Sequence, residues 1–219
     1  MRQEYGVRLY TSPRKTLTIS VTAGKEVVVR APLSFRKEGL EEILAQHDSW
    51  IRKELRRQEE AGERQKPFRA MEKIYYKGRE LPVIRIPGKL IRQEEEAFLL
   101  GWEADLAAFL RRDTAAAAQE LAEKWAWAAR PRVLRYWRMR SRWGSCTPAG
   151  AITLNIHLIQ APPLVLEYVY VHELAHLRHP HHGKAFWDQV ADWFPRYREA
   201  KDWLKAYGSF LFLSLDKDL

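Results

Sequence analysis

The spacing of hydrophobic positions predicts a first part of the chain that is built mainly of strands. Residues 15–21 alternate between polar and apolar side chains, and residues 26–30 are rich in valine, as expected for strands. Residues 37–57 show helical spacing with a charged continuation to residue 64, and residues 72–100 return to short strands interrupted by prolines. We therefore predict a β-rich N-terminal unit with one helix over residues 1–100.

The second part of the chain predicts helices around one pair of strands. A long helix is expected over residues 103–128, and the apolar run after Pro162 and Pro163 predicts another up to residue 177. Residues 138–143 alternate and residues 151–159 are apolar and β-branched, so together they predict a β-hairpin. Residues 210–215 read as an edge strand or a docking segment. The predicted fold class is α+β, with residues 101–219 as the second unit.

Composition argues against disordered, secreted and membrane proteins. Hydrophobic residues make up 46% and charged residues 30% of the 219 residues, a balance typical of a globular domain. No run of 18 apolar residues occurs, and the first five residues lack the apolar run of a signal peptide. The single cysteine, Cys146, cannot form an internal disulfide. We expect a cytoplasmic protein without membrane contact.

The positive charge is concentrated in one segment. The formal net charge is +9, and no acidic residue occurs between Glu123 and Glu167. Six arginines lie between Arg130 and Arg142, and such a block could bind DNA or another polyanion. An ordinary solvated face, balanced by acidic residues elsewhere in the fold, explains the same pattern.

Five of the seven histidines lie within eleven residues, and residues 172–176 read HELAH inside a predicted helix. His172 and His176 are four residues apart, so both rings project from the same face of the helix, one turn apart. This spacing allows both imidazoles to reach one Zn²⁺ ion. Glu173 would then face a metal-bound water as general base.

A third ligand is expected, because zinc held by two protein ligands would be bound weakly. Pro180 cannot continue the helix, so the chain should turn just before it. His182 follows His176 by six residues, which is the interval to the third histidine in HExxHxxGxxH zinc enzymes. His182 is therefore the preferred third ligand, and His179 and His181 are the alternatives.

Two simpler interpretations stand beside the catalytic one. The histidines could be incidental residues on a surface helix, or they could form a structural zinc site. A structural site would normally have four protein ligands, and Glu173 would then have no function. The helical context, the turn and the additional histidines favour a catalytic site.

Four segments occur in an order typical of one protein family: residues 142–146 (RWGSC), 152–163 (ITLNIHLIQAPP), 168–177 (YVYVHELAHL) and 179–187 (HPHHGKAFW). With these segments the chain resembles the YgjP-like metallopeptidases, which are related to SprT-like proteases and have a minimal gluzincin-type core. The N-terminal part fits as well, so the resemblance covers nearly the whole chain. The family often has asparagine where this chain has His181, and its aligned histidine is His182.

The resemblance implies a zinc-dependent metallopeptidase of minimal zincin type, whose β-hairpin borders the cleft and pairs with an extended peptide or protein substrate. His172, His176 and His182 would bind Zn²⁺ and leave a fourth position for water. Zinc lowers the pKa of that water from about 15.7 towards ~7. Glu173 would take the proton and pass it to the leaving amine.

A second hypothesis is a nucleic-acid-associated module with a regulatory or degenerate zinc site. It rests on the arginine segment between Arg130 and Arg142 and on the relation to SprT-like proteins, which act on DNA-bound proteins. Arginines that project together into solvent would favour this hypothesis, whereas arginines paired with acidic residues would favour a structural role.

Several other residues have both a functional and a structural interpretation. Cys146 reads as a nucleophile or a small buried residue, and His157 as an oxyanion-stabilising group or an ordinary strand residue. The remaining candidates could touch the ligand histidines or belong to the core or the solvated surface: Tyr168, Tyr170, Asp188 and Asp192.

Overall fold

The computed structural model describes residues 5–22 and 24–215, and these residues form two compact units that divide between Lys66 and Pro67. The absence of a signal peptide was inferred from residues 1–5, of which the first four lie outside the described residues. The architecture is mixed α and β with several small sheets, which confirms the predicted fold class. No helix in the described ranges has the length and apolar character needed to cross a bilayer.

The first unit contains a three-stranded sheet and the helices that follow it. Strand β3 (Val27–Pro32) lies in the centre, parallel to β1 (Val7–Ser12) and antiparallel to β2 (Thr18–Val21). A short 3₁₀ turn (Lys37–Gly39) leads into α1 (Leu40–Gln46), which is followed by α2 (Asp48–Arg69). The small core is apolar because valines of β3 meet leucine and isoleucine of the helices: Val27, Val29, Leu44 and Ile51.

The single helix predicted for residues 37–57 is interrupted at His47. The Nδ1 atom of His47 lies 2.9 Å from the carbonyl oxygen of Ile43, and the backbone N–H of His47 also bonds the last carbonyls of α1. These bonds close α1, and α2 then starts at Asp48 and continues beyond the predicted end.

The second unit begins with a four-stranded sheet in the order β4–β5–β7–β6. The strands are β4 (Lys73–Tyr76), β5 (Arg79–Ile86), β6 (Ile91–Gln93) and β7 (Phe98–Gly101). The sheet shares its core with α3 (Leu106–Lys124): the ring of Tyr76 lies 5.8 Å from that of Phe109, and its hydroxyl donates to Asp113. The sheet and α3 lie in the same unit, which begins at Pro67, and the sequence predicted a division at residue 100.

A second sheet of this unit has the order β8–β10–β9. Its central strand β10 (Ala151–Asn155) is parallel to β8 (Val133–Trp137) and antiparallel to β9 (Gly144–Cys146). The predicted hairpin therefore exists, but its first strand is β9 rather than residues 138–143. Strand β9 has a paired neighbour on one side only, so it forms an edge of the sheet.

Asn155 explains both errors in the hairpin prediction. Its buried side-chain amide donates to the carbonyls of Met139 and Arg142, each at 2.8 Å, and so holds residues 138–143 as an irregular loop. Its Oδ1 atom accepts from the N–H of His157 at 3.2 Å and caps a 3₁₀ turn (Ile156–Gln160). The turn replaces the second half of the strand predicted for residues 151–159.

Three helices complete the second unit. Helix α4 (Pro163–Ala175) begins at the predicted proline pair, and α5 (Lys184–Trp193) and α6 (Tyr197–Leu213) follow. The segment 210–215, expected to be a strand or a docking segment, forms the last turn of α6 and the turn after it rather than a strand. Phe210 is buried against Phe68 and Tyr75, with ring centroids 5.0 and 6.1 Å away, because α6 supplies part of the core.

Candidate metal centre

Three imidazole rings converge at the C-terminal end of α4. His172 lies on the last turns of this helix, His176 is its C-cap residue, and His182 comes from the loop before α5. The Nε2 atom of His182 lies 3.0 Å from that of His172 and 3.1 Å from that of His176. The structure therefore brings together the three predicted ligands, including the preferred third one.

The loop between α4 and α5 turns back because the helix ends before Pro180. The Nδ1 atom of His176 lies 3.0 Å from the carbonyl oxygen of His179, so Nδ1 donates and the Nε2 lone pair is left for the cluster. His179 thus acts through its carbonyl, and its ring and that of the exposed His181 are not part of the three-histidine group.

Aromatic residues of α5 pack against the histidines. Phe186 is fully buried, and its ring centroid lies 4.5–4.8 Å from those of His172, His176 and His182. Trp187 stacks on His182 at 5.8 Å. Packing of this kind holds the three rings in place, as expected of a preorganised binding site.

The three nitrogens fit a zinc ion. Zn–N bonds of about 2.0–2.1 Å in a tetrahedral site separate the ligand nitrogens by about 3.3 Å, close to the separations seen here. Burial, helped by the nearby His176 and His182, lowers the pKa of His172 to about 3, so this ring is neutral at pH 7, as a metal ligand must be. Three imidazole nitrogens with space on the cleft side match the donor set of catalytic zinc sites.

Glu173 lies beside this cluster and is almost fully buried, with 5% of its surface exposed. Burial raises the pKa of its carboxyl to about 8, although the positive charge of Arg142 acts in the opposite direction. The carboxyl packs on the backbone of Gly144 in β9, where a Cβ atom would lie 2.6 Å from Oε1. A side chain at position 144 would therefore displace the carboxyl.

A cleft of about 460 Å³ opens in front of the histidines and Glu173. One side is formed by the segment that contains the edge strand β9, and the other by the end of α4 and the loop after it. The lining residues are Arg142, Gly144, Ser145, Cys146, Thr147, Pro148, His172, Glu173, His176, Pro180 and His182. The cleft thus brings together the backbone of an edge strand, three histidines that could bind a metal, and a buried carboxyl.

Of the other sequence candidates, Cys146 lines the cleft and Tyr168 touches a candidate ligand, whereas the rest do not line the cleft. Cys146 lines the cleft, but burial, together with the charge of Glu173, raises the pKa of its thiol, so it is not an activated nucleophile at neutral pH. The hydroxyl of Tyr168 lies 3.5 Å from Nδ1 of His172 and so touches a candidate ligand. His157 is fully buried, its Nδ1 atom lies 2.8 Å from Nε2 of Gln160, and it does not line the cleft.

The remaining three candidates do not line the cleft. Tyr170 is completely buried in the core, Asp188 forms an ion pair with Lys184 at 2.6 Å, and Asp192 is exposed.

Sequence reasoning missed two residues that shape the site. Gly144 entered the sequence analysis only as part of the RWGSC segment, although a glycine at the start of a strand can also mark close approach by another group. Phe186 was recognised only as part of a motif, and nothing in a single sequence shows that its ring packs against three histidines.

A family model described as YgjP-like, metallopeptidase domain, matches residues 15–207. The search of curated proteins found no match. Two solved structures are similar over part of the chain. The metallopeptidase zymogen abylysin of Pyrococcus abyssi is 24% identical, with 46% of this chain and 93% of that chain covered and a TM-score of 0.33.

The metallopeptidase zymogen jannalysin of Methanocaldococcus jannaschii is 18% identical, with 44% of this chain and 89% of that chain covered and a TM-score of 0.34. These TM-scores are too low for residues of the present site to be equated with residues of either zymogen.

Proposed function

Because this chain belongs to the YgjP-like metallopeptidase family, we propose that it is a zinc-dependent peptidase in which Glu173 is the general base. The family expected from the sequence motifs is thereby confirmed. The observation that carries the proposal is the convergence of three histidine Nε2 atoms beside a buried carboxyl in an open cleft. His172, His176 and His182 are the proposed ligands.

The donor set supports zinc as the metal. Imidazole nitrogens suit zinc better than calcium or magnesium, which prefer oxygen ligands. When bound, zinc acts as a Lewis acid and lowers the pKa of water at its open position. The chain's contribution is to keep the His172 ring neutral and to hold all three rings in place against Phe186.

Glu173 has the environment that a general base needs. Burial raises the pKa of its carboxyl to about 8 in the metal-free protein, and a nearby cation would lower this pKa towards neutrality. We propose that its carboxylate accepts a proton from the attacking water and donates it to the leaving amine. Gly144 leaves room for the carboxyl to stay at the cleft wall during both steps.

The edge strand β9 supplies a binding mode for the substrate backbone. It pairs with β10 on one side, and its residues line the cleft. We propose that an extended peptide adds to β9 as a further strand, which would hold it through backbone hydrogen bonds without strong sequence preference. The single cysteine of the chain agrees with a reducing compartment, and we propose the cytoplasm.

Metal removal and restoration test the proposed activity. The purified protein is stripped with a chelator, its metal content is measured by mass spectrometry, and hydrolysis of a mixture of short peptides is followed by chromatography. We expect hydrolysis to disappear with the metal and to return on addition of about one equivalent of Zn²⁺. Hydrolysis that persists in the metal-free protein would contradict the proposal.

One observation favours nucleic-acid binding as a second function. Strand β8 exposes Val133, Arg135 and Trp137 on one face, and the Arg111 guanidinium lies over the Trp137 ring at 5.1 Å. An exposed aromatic ring among arginines is the arrangement on which single-stranded nucleic acids stack. We propose that this face, with the neighbouring arginines of residues 130–142, binds single-stranded DNA or another polyanion.

Fluorescence anisotropy with a labelled single-stranded oligonucleotide tests the second function. We expect affinity to fall steeply between 50 and 200 mM salt, as phosphate contacts require. Trp137→Ala and Arg135→Glu should weaken binding, whereas Arg198→Glu, which changes an exposed arginine on α6, should weaken it less. Equal effects of all three variants would show that net charge alone causes the binding.

A further inference from the structure

Arg142 differs from the other arginines of its segment because it lines the cleft. It shares this cavity with the three histidines and Glu173, and its charge acts on the Glu173 carboxyl. Within the described part of the chain, Arg142 forms no ion pair, and its side chain is exposed. A guanidinium that faces the cleft and forms no ion pair there is available to an anionic group of a ligand.

The backbone that carries Arg142 is held on both sides. Its carbonyl accepts a hydrogen bond from the buried Asn155 side chain at 2.8 Å, and the carbonyl of Trp143 accepts one from the Asn155 N–H at 2.9 Å. The Trp143 ring stacks on Phe212 at 4.7 Å and lies against Gly208 of α6. The base of the Arg142 side chain is therefore fixed relative to β9, as specific recognition requires.

Chain geometry limits how far the guanidinium can be from the reacting bond. Arg142 precedes Gly144 by two residues, so their α-carbons are at most about 7 Å apart. Gly144 is the residue against which the Glu173 carboxyl packs. Since an arginine side chain is itself about 6–7 Å long, its guanidinium can reach a group one residue away from a bond placed at Glu173.

We propose that Arg142 binds a carboxylate on the residue directly after the scissile bond, so that the preferred peptides are cleaved next to such a group. This inference rests on the proposed peptidase function and adds a substrate class to it. A guanidinium pairs with a carboxylate through two parallel hydrogen bonds. The carboxylate can be the free C-terminus, which makes the protein a carboxypeptidase, or an acidic side chain.

Three peptides distinguish these sources. Acetyl-Ala-Ala-Ala carries a terminal carboxylate after its last peptide bond, its amide carries none, and acetyl-Ala-Ala-Asp-amide carries only the side-chain carboxylate. We expect the zinc-loaded protein to cleave at least one carboxylate peptide about tenfold to a hundredfold more efficiently than the neutral amide, the range expected for a charge-assisted hydrogen bond. Preference for the first peptide identifies a terminal carboxylate, and preference for the third an acidic side chain.

Variants of Arg142 show whether this residue causes the preference. Arg142→Ala and Arg142→Gln should reduce the ratio of kcat/KM between carboxylate and neutral peptides to about one. Because the charge of Arg142 also acts on the Glu173 carboxyl, this ratio, and not the rate on either peptide, is the readout. Arg142→Lys should keep part of the preference for carboxylate peptides, because lysine keeps the positive charge but cannot form two parallel hydrogen bonds to a carboxylate. Arg140→Ala is the matched control, since Arg140 is exposed in the same loop and does not line the cleft.

Two results would overturn the inference: equal kcat/KM of the wild-type protein on charged and neutral peptides, or an unchanged ratio in Arg142→Ala. If the wild-type protein cleaves no peptide, the proposed function fails, and binding of the same three peptides to the zinc-loaded protein, measured by calorimetry, decides the role of Arg142. Tighter binding of a carboxylate peptide by wild type than by Arg142→Ala supports it, and equal binding contradicts it.

Discussion

The α-carbon of Gly144 lies against the carboxyl group of Glu173. A Cβ atom at position 144 would stand 2.6 Å from Oε1 and 2.7 Å from Cγ of Glu173, closer than real contacts allow. The edge strand of a small sheet thus determines where the carboxyl of the neighbouring helix can lie. The two residues are 29 positions apart in the chain and meet because β9 packs beside α4.

Gly144→Ala should therefore impair hydrolysis and leave metal binding nearly unchanged. The added methyl group forces the Glu173 carboxyl away from the cleft wall, and a misplacement of about 1 Å can reduce a rate about 100-fold. The measurements are kcat/KM for a cleaved peptide and zinc content by mass spectrometry.

Gly183→Ala is the matched control, because a Cβ atom at position 183, one residue after His182, meets nothing within 4 Å. It should retain most of the wild-type activity. Equal activities of Gly144→Ala and the wild-type protein would show that the close packing of Gly144 on Glu173 has no functional role.

The choice of the third ligand can be tested with neighbouring histidines. His182→Ala should lower zinc affinity by about 100-fold or more, since even residues that only orient a ligand contribute 10–100-fold. His181→Asn should leave zinc affinity and activity nearly intact, because His181 is not part of the three-histidine group. Competition with a fluorescent zinc chelator measures both affinities. Zinc retained in His182→Ala but lost in His181→Asn would identify His181 as the ligand.

The metal-free protein should lose stability between pH 6.5 and 8 because of Glu173. The pKa of the Glu173 carboxyl is raised from 4.5 in the unfolded chain to about 8 in the folded state, so the unfolded chain loses this proton at a lower pH than the folded protein does. The free energy of unfolding therefore falls as pH rises towards 8. His172 affects stability at lower pH. Folding lowers its pKa from 6.5 to about 3, so the free energy of unfolding decreases as pH falls below 6.5.

Thermal unfolding in the presence of a chelator measures this effect. Glu173→Gln removes the titrating group, so its Tm should rise relative to that of the wild-type protein by at least about 2 °C between pH 6.5 and 8. For a chain of this length, 2 °C corresponds to about 0.5–1 kcal/mol. Glu120→Gln removes the same charge from an exposed position on α3 and should show no such relative rise. Parallel curves for wild type and Glu173→Gln would contradict the buried, protonated carboxyl.

Local sequence rules predicted the parts of the site that depend on local geometry. The four-residue spacing of His172 and His176 follows from the helix, and Pro180 correctly marked the end of that helix. The six-residue interval selected His182, which the structure brings to the other two rings. Two strands of the first unit, β2 and β3, were also predicted near their observed positions, whereas β1 was not predicted.

The missed features depend on contacts between distant residues. Residues 138–143 alternate like a strand, but Asn155 takes their carbonyls as hydrogen-bond acceptors, and no local pattern shows this competition. Residues 210–215 have strand-like composition, but burial of Phe210 against Phe68 and Tyr75 favours a helix. The close approach of Gly144 and Glu173 was hidden for the same reason.

The central claim is that Glu173 performs proton transfer beside a zinc ion held by the three histidines. The most direct measurement is the hydrolysis rate of a cleaved peptide by zinc-loaded Glu173→Gln, with zinc content determined on the same sample. The account predicts about one zinc ion per chain and a rate reduced by about 10²–10⁴-fold, the usual contribution of a general base. Wild-type activity in a Glu173→Gln protein that holds its zinc would contradict it.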